Sequence, residues 1–372
     1  MTTSSTSSLQ EELLHLTSDL MRFESTSDRP DQLTAITDYV EGYLRDVPGL
    51  FLHRSEAEGK PALVATYHDT RTPTIMFNGH LDVVPASPEQ FEPRREGNRL
   101  YGRGSQDMKS GVAVLMRLLK EFATNHNADG PHTLPNIGVQ FVTDEEIGGE
   151  AGTGRLQKEG WGCELLVITE PTDLRICYEQ KGILWLRMRM RGTSAHGSRP
   201  WHGCNPILGL NHGLTQIFSR YPPPTKEVWA TTVLPTTLRT PNTTINRIPE
   251  EVEMTFDIRY LPEEDPNQLL TMIRELFPGA EVEQERCAVP MSSDPNHPRI
   301  QQLAIAGQQG YGRRLPLYRE HFGSDGRFYS KAGMAAVCLG VKGAGLHSDN
   351  EWVEVESMAH LYQTLAAFLQ TL

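Results

Sequence analysis

Apolar positions recur along the chain in two rhythms. Within residues 9–23, Leu13, Leu14, Leu16, Leu20 and Met21 stand at helical spacing among polar neighbours, and Leu33, Ile36, Val40 and Leu44 repeat that pattern over 31–44. Both stretches predict amphipathic helices packed on a sheet. Residues 61–67 then read as a strand, and the run TIMFN at 74–78, bounded by Pro73 and Gly79, reads as a short strand ending in a sharp turn. A polar, Pro-rich loop at 85–98 leads to a helix from Gly111 onward. Three further apolar runs, IGVQFVT at 137–143, LLVIT at 165–169 and AAVCL at 335–339, predict buried strands. The alternation resumes with 299–310 and ends in a helix over 358–369, which together describe an α/β fold.

Between 182 and 288 the rhythm changes. Leu186, Met188 and Met190 alternate with Arg187, Arg189 and Arg191, the pattern of an antiparallel strand with one wet face. A helix is predicted at 206–218, strands at 231–239 and 252–260, a helix at 267–277 and a strand at 280–287. That β-α-β-β-α-β order is ferredoxin-like and predicts an inserted domain. The expected organisation is a main domain of residues 1–181 and 289–372 interrupted by an insert of 182–288. The Ser/Thr-rich first eight residues are expected to be disordered.

Composition narrows the function. A length of 372 residues suits two cores, and a formal net charge of −12 argues against nucleic acid or an anionic membrane surface as partner. The five cysteines, Cys163, Cys177, Cys204, Cys287 and Cys338, are scattered without a CxxC pair, so neither a disulfide framework nor a thiolate zinc site is expected. No apolar run reaches membrane-spanning length, and the first residues lack a basic region followed by an apolar one. A reducing cytoplasm is the expected location.

The candidate chemistry lies at strand ends. His80 follows the strand at 74–78, Asp144, Glu145 and Glu146 follow 137–143, Glu170 follows 165–169, and His347 lies in the loop after 335–339. In open α/β sheets that end is where ligands bind. Asp107 precedes the helix beginning near Gly111, after a glycine-rich approach through Gly102 and Gly104; the spacing fits neither GxGxxG nor a P-loop, and the glycines read as permitting a tight turn. His80, Asp107, Glu146, Glu170 and His347 form a mixed N/O set suited to zinc and tolerable for cobalt or manganese. Five groups are too many for one open catalytic zinc and suit two ions bridged by a carboxylate. Asp82 is placed to accept the second imidazole N–H of His80. Of the adjacent carboxylates Glu145 and Glu146, one can ligate while the other serves as general base. Any one of these motifs alone reads as well as a surface or core hydrogen bond; their convergence on strand ends favours the metal.

GHLDVVP around His80, YGRGSQDMKSG around Asp107, TDEEIGG around Glu145 and ITEPTD around Glu170 resemble the dinuclear zinc amidohydrolases and metallopeptidases that include acetylornithine deacetylase, succinyl-diaminopimelate desuccinylase, aminoacylases and glutamate carboxypeptidases. The resemblance extends to GTSAHGSRPWHGCNP and NTTINRIPEEVEMTFDIR in the insert and to FGSDGRF and GLHSDNEWV near the carboxyl terminus. It implies a catalytic domain with a mixed, mainly parallel sheet flanked by helices, and an inserted lid that forms a homodimer. It also implies two divalent metal ions per chain, zinc in the family, with Asp107 bridging them, His80 and Glu170 completing one site, and Glu146 and His347 completing the other. Glu145 would be the general base, with Asp82 orienting His80. His196 would donate to the oxyanion from the other subunit, although its flanks Ala195 and Gly197 would otherwise mark a loop histidine.

The resemblance further implies that Asn246 and Arg259 grip a substrate carboxylate, a task that suits a guanidinium fork. Lys181 falls near an arginine of some relatives, so its role stays open. Gly323 begins a stretch like the family's substrate loop and equally like a helix cap before Arg327. The expected substrate is an N-acyl amino acid or a dipeptide, and a non-catalytic binding relative is the contrasting reading. The retained Glu145 and the full ligand set speak against that contrast.

Overall fold

The computed structural model describes residues 3–126 and 134–372 and divides the chain into two compact units. The first comprises Met1–Tyr178, Ser292–Tyr318 and Ser324–Leu372; the second comprises Glu179–Met291 with Arg319–Gly323.

The first unit opens with helices α1 (Thr3–Met21) and α2 (Pro30–Leu44), a hairpin of β1 (Phe51–Ala57) and β2 (Lys60–Thr66), and β3 (Ile75–His80). Helix α1 thus runs back through the Ser/Thr-rich stretch expected to be disordered; residues 1 and 2 lie outside the described ones. Next come short strands β4 (Arg94–Glu96) and β5 (Arg99–Tyr101), helix α3 (Lys109–His126), β6 (Ile137–Val142), α4 (Thr153–Lys158), β7 (Leu165–Ile168) and β8 (Ile176–Gln180). The second unit contributes β9 (Gly182–Arg191), α5 (Pro206–Arg220), β10 (Thr232–Arg239), β11 (Glu251–Tyr260), α6 (Pro266–Leu276) and β12 (Glu281–Ala288). The chain finishes with α7 (Pro298–Gly310), β13 (Leu317–Glu320), α8 (Gly326–Lys331), β14 (Ala335–Cys338), β15 (Gly343–Ala344), β16 (Trp352–Glu354) and α9 (Val355–Leu369).

The main sheet has the order β1-β2-β6-β3-β7-β14-β8-β13. Its four central strands, β6, β3, β7 and β14, run parallel, while β1, β2 and β8 pair antiparallel. This is the mixed sheet with a parallel centre that the sequence predicts. Every residue of β3, β6 and β7 is buried, as expected of parallel strands covered on both faces. Leu13, Leu20, Ile36, Val40, Leu115, Leu119, Leu361 and Leu365 belong to one core with Phe77, Val139 and Val167 of these strands. A separate small sheet, β15-β16-β5-β4, joins the segment before α3 to the two strands that flank His347.

The second unit carries a four-stranded antiparallel sheet in the order β10-β11-β9-β12. That spatial order, with helices after its first and third strands, is the ferredoxin-like arrangement. Leu184, Leu186, Met188 and Met190 of β9 are buried with Phe256 and Ile258 of β11 and Ile273 and Phe277 at α6. On the wet face Arg187 pairs with Glu253 and Glu285, and Arg189 with Glu251 and Glu253, so opposite charges face each other across strands.

Candidate active site

Because β6, β3, β7 and β14 are adjacent and parallel, their carboxyl ends form one edge of the main sheet. His80 is the last residue of β3, Glu145 and Glu146 lie in a single 3-10 turn just past β6, and Glu170 lies two residues past β7. Asp107 is brought over this edge by α3. The helix starts so close to β7 that a Cβ on Gly111 would lie 2.7 Å from Thr169 Cβ and 2.8 Å from its carbonyl oxygen. The approach to Asp107 turns through Gly102 at φ +133° and Gly104 at φ +78°, conformations that glycine reaches without strain. The Asp107–Met108 peptide is cis.

His80, Asp107, Glu145, Glu146, Glu170 and His347 converge. His80 Nε2 lies 3.0 Å from Asp107 Oδ1 and 3.8 Å from Glu170 Oε1. His347 Nε2 lies 3.2 Å from Asp107 Oδ2 and 3.4 Å from Glu146 Oε2. The two oxygens of Asp107 therefore face different imidazoles. Ligand-capable atoms of His80, Asp107 and Glu146 fall within 4.8 Å of one another, as do those of His80, Glu145 and Glu170. His347 adopts a left-handed φ of +61°, and its side chain is 52% exposed, whereas that of His80 is 1% exposed.

Asp82 acts differently from the expectation drawn from spacing. The His80 Nδ1–H donates to the main-chain carbonyl of Asp82 at 2.9 Å, while the nearer carboxylate oxygen is 3.6 Å away. A carbonyl only accepts, so this bond fixes the proton on Nδ1 and leaves Nε2 facing the acidic groups. The Asp82 carboxylate instead accepts the main-chain N–H groups of Glu145 at 3.3 Å and Glu146 at 3.0 Å. One residue thereby aims the imidazole and ties down the turn that carries both glutamates.

The donor set fits a divalent metal. An Nε2 lone pair opposite carboxylate oxygens needs a cation or a proton between them. Burial would lower the His80 pKa, but the hydrogen bond to Asp107 and the charges of Glu170, Asp107 and Asp82 outweigh it and hold the ring well above its usual value. Hydrogen bonds to Asp107 and Glu146 raise His347 to about 10. Burial, then the charge of Asp325, pushes Glu145 well above the carboxylate range, and burial, then Asp107, does the same for Glu170. Burial acts to raise Asp107 as well, yet its bonds to His347 and His80 bring it below the ordinary value. So many carboxylates crowded beside two imidazoles repel one another, and divalent cations relieve that repulsion.

The remaining predicted residues lie in the second unit. His196 is exposed; its Nδ1 accepts the Ser198 main-chain N–H at 3.2 Å, with Ser198 Oγ 2.8 Å away. The neutral ring so held carries its proton on Nε2 and presents a donor. Asn246 is exposed, and its carbonyl accepts the Gly197 N–H at 2.6 Å. The Arg259 guanidinium is forked onto Asp257 at 2.8 and 3.3 Å, so a substrate carboxylate would compete with a neighbour on the same strand. Lys181 is buried, donates to the Ala230 carbonyl at 2.5 Å and sits 5.5 Å from the Trp229 ring. Gly323 needs no special backbone; a Cβ there would touch only Ile183 Cδ1 at 3.5 Å. Asp325, in the first unit, occupies the N-cap position of α8 without a side-chain cap bond, while Ser324 Oγ lies 3.4 Å from the Gly326 main-chain nitrogen.

A parallel sheet edge that gathers carboxylates and imidazoles in this way defines a metallohydrolase. The chain belongs to the peptidase family M20/M25/M40, which it matches over residues 76–371. Succinyl-diaminopimelate desuccinylase of Bordetella parapertussis is 27% identical over 327 residues, covering 81% of this chain and 83% of that protein. The fold is similar to that of aminopeptidase PepT from Bacillus cereus, with a TM-score of 0.80 at 18% identity over 97% of this chain and 98% of the other. It is also similar to an M20 metallo-carboxypeptidase of Sulfolobus solfataricus, with a TM-score of 0.77 at 16% identity over 96% and 98%. The protein is accordingly a metal-dependent hydrolase of amide bonds in small substrates. Among the described residues no helix is long and apolar enough to cross a membrane.

Proposed function

We propose that the protein is a dizinc hydrolase that releases an amino acid from an N-acyl amino acid. The observation that carries this reading is the placement of Glu145 beside His80 and Glu170, with its main chain anchored by Asp82. In this reading Asp107 would be shared by the two ions, with His80 and Glu170 holding one and Glu146 and His347 the other. Bound ions of this kind polarise a carbonyl and acidify water. Glu145 accepts the proton of the attacking water and returns it to the leaving amine. Asp82 keeps His80 in its Nδ1–H form and holds the Glu145 turn. His196 offers its Nε2–H to the oxyanion, reaching the site of a second subunit; Asn246, Arg259, Lys181 and the loop at Gly323 read the substrate carboxylate and acyl group.

The catalytic domain is then 1–181 with 289–372, and 182–288 forms a lid through which a homodimer assembles. Exposed Trp201, Ile207, Leu208 and Ile245 on the second unit support an apolar contact there. The five cysteines, scattered along the chain without a CxxC pair, support a reducing, cytoplasmic location. The alternative is a dipeptidase or carboxypeptidase, supported by the family's peptidase members. Amine release from N-acetyl and N-succinyl amino acids and from dipeptides, each with added zinc, separates the readings. The N-acyl compounds are expected to turn over fastest. Faster dipeptide cleavage transfers the assignment to the alternative, and no turnover of any of them overturns both.

A further inference from the structure

We propose that Glu351 is a positioning residue for the metal centre, holding the segment that carries Asp107 in register with the loop that carries His347. The inference rests on the reading of Asp107 and His347 as metal ligands.

The side chain of Glu351 is buried. Its Oε1 accepts the main-chain N–H of Gln106 at 2.9 Å and that of Asp107 at 3.2 Å, and its Oε2 meets Arg103 at 2.5 Å. Its own carbonyl accepts the Gly102 N–H at 3.0 Å. Four contacts from one residue thus grip the span from Gly102 to Asp107. Arg103 is equally buried, and its guanidinium is ion-paired with the Glu351 carboxylate. Each of these two charges is therefore answered inside the protein, with the buried Lys109 a further cation near Glu351.

The span needs such a grip. It turns through two glycines at positive φ, which contribute no side-chain packing of their own, and the Asp107 carboxylate at its end must satisfy two imidazoles at once. His347 stands four residues before Glu351, on a left-handed backbone that leaves its ring half exposed. Directly after Glu351, Trp352 pairs with Tyr101 in the small sheet, and the Gln90 amide donates to Asp349 at 2.9 Å. A shift of Glu351 would therefore move the Asp107 oxygens and the His347 ring relative to each other. Groups that orient metal ligands typically change metal affinity by about 10–100-fold when removed.

Two double variants separate positioning from bulk stability. In Arg103→Met with Glu351→Gln both members of the ion pair are neutralised together, and the Gln oxygen still accepts the Gln106 and Asp107 N–H groups. In Arg103→Met with Glu351→Met the volume is similar but the acceptor is gone. Metal affinity is read by competition between the full-length protein and a chromophoric chelator for zinc, and ligand geometry by the visible absorption of the cobalt-loaded chain. The Gln variant is expected to stay within about threefold of wild type. The Met variant is expected to lose about 10–100-fold in affinity and to change the cobalt spectrum while its metal-free far-UV circular dichroism is kept. Where the Met variant does not fold, Glu351→Asp, which draws the acceptor back by one methylene, is read in the same way. Wild-type affinity and spectrum in a folded variant lacking the acceptor, or equal losses in the Gln and Met variants, overturn the proposal. A wild-type chain that binds no zinc overturns instead the ligand assignment on which it rests.

Discussion

The carboxylate of Asp82 accepts the main-chain N–H of Glu146 at 3.0 Å, although the two residues are 64 positions apart. With the companion bond to Glu145 and the carbonyl bond to His80, Asp82 ties one imidazole to the turn that carries two carboxylates. Asp82→Ala is expected to lower kcat by about 10–100-fold, with a smaller change in KM. Steady-state kinetics together with zinc titration check this, and an unchanged kcat would remove Asp82 from the machinery.

Glu145 is expected to matter to proton transfer and not to metal retention. Glu145→Gln keeps the size of the side chain and removes its basicity, so kcat should fall by about 10²–10⁴-fold. Metal analysis of the purified variant should give the wild-type stoichiometry. Loss of metal together with activity would mean that Glu145 is a ligand, as its place beside His80 and Glu170 also allows.

Stripping the metal with a chelator should abolish turnover and lower Tm, and readdition should restore both. At a free metal concentration of about 100 Kd the linked stabilisation is about 2.7 kcal/mol. A Tm that ignores metal would contradict binding to the folded chain.

If His196 serves the site of a second subunit, His196→Ala and Glu145→Ala chains are each inactive alone and regain part of the activity when mixed. Hybrid dimers then contain one intact site. Hybrids that form, as shown by differently tagged chains, without restoring activity would place His196 outside the chemistry.

Gly149 and Gly59 have nearly the same backbone, φ +69° and +70°, in different surroundings. A Cβ on Gly149 would lie 1.9 Å from Asp325 Oδ1, whereas one on Gly59 meets nothing within 4 Å. Gly149→Ala should therefore destabilise by about 1–3 kcal/mol more than Gly59→Ala. Thermal unfolding of the two variants measures the difference, and equal losses would show that backbone strain alone decides both.

The parallel centre of the fold was legible because β3, β6, β7 and β14 are continuous apolar runs ending in polar turns. Those endings also disclosed His80, Glu145, Glu146, Glu170 and His347, and the structure brings them together with Asp107. Strand β1 escaped notice because FLHRSEA is an edge strand with little buried surface and no clean alternation. Strands β4, β5, β15 and β16 are two or three residues long, too short for any period to register. The partners of Asp82 were hidden for another reason. Spacing put its carboxylate next to His80, but main-chain N–H groups of a distant turn compete for it, and such groups leave no mark on composition. Glu351 was invisible for the same reason, being one acid in a polar loop until Arg103 and the Asp107 segment close around it.

The strand order of the main sheet also dictates a timetable. Strand β14 sits between β7 and β8 in space, yet it is made after the whole of β9 to β12. On a ribosome, then, nearly all of the second unit emerges while the first still has a slot open in the middle of its sheet. Units of this kind fold one by one as they appear. The nascent chain must shelter an unfinished sheet until its last quarter arrives, and His347 comes with that final segment.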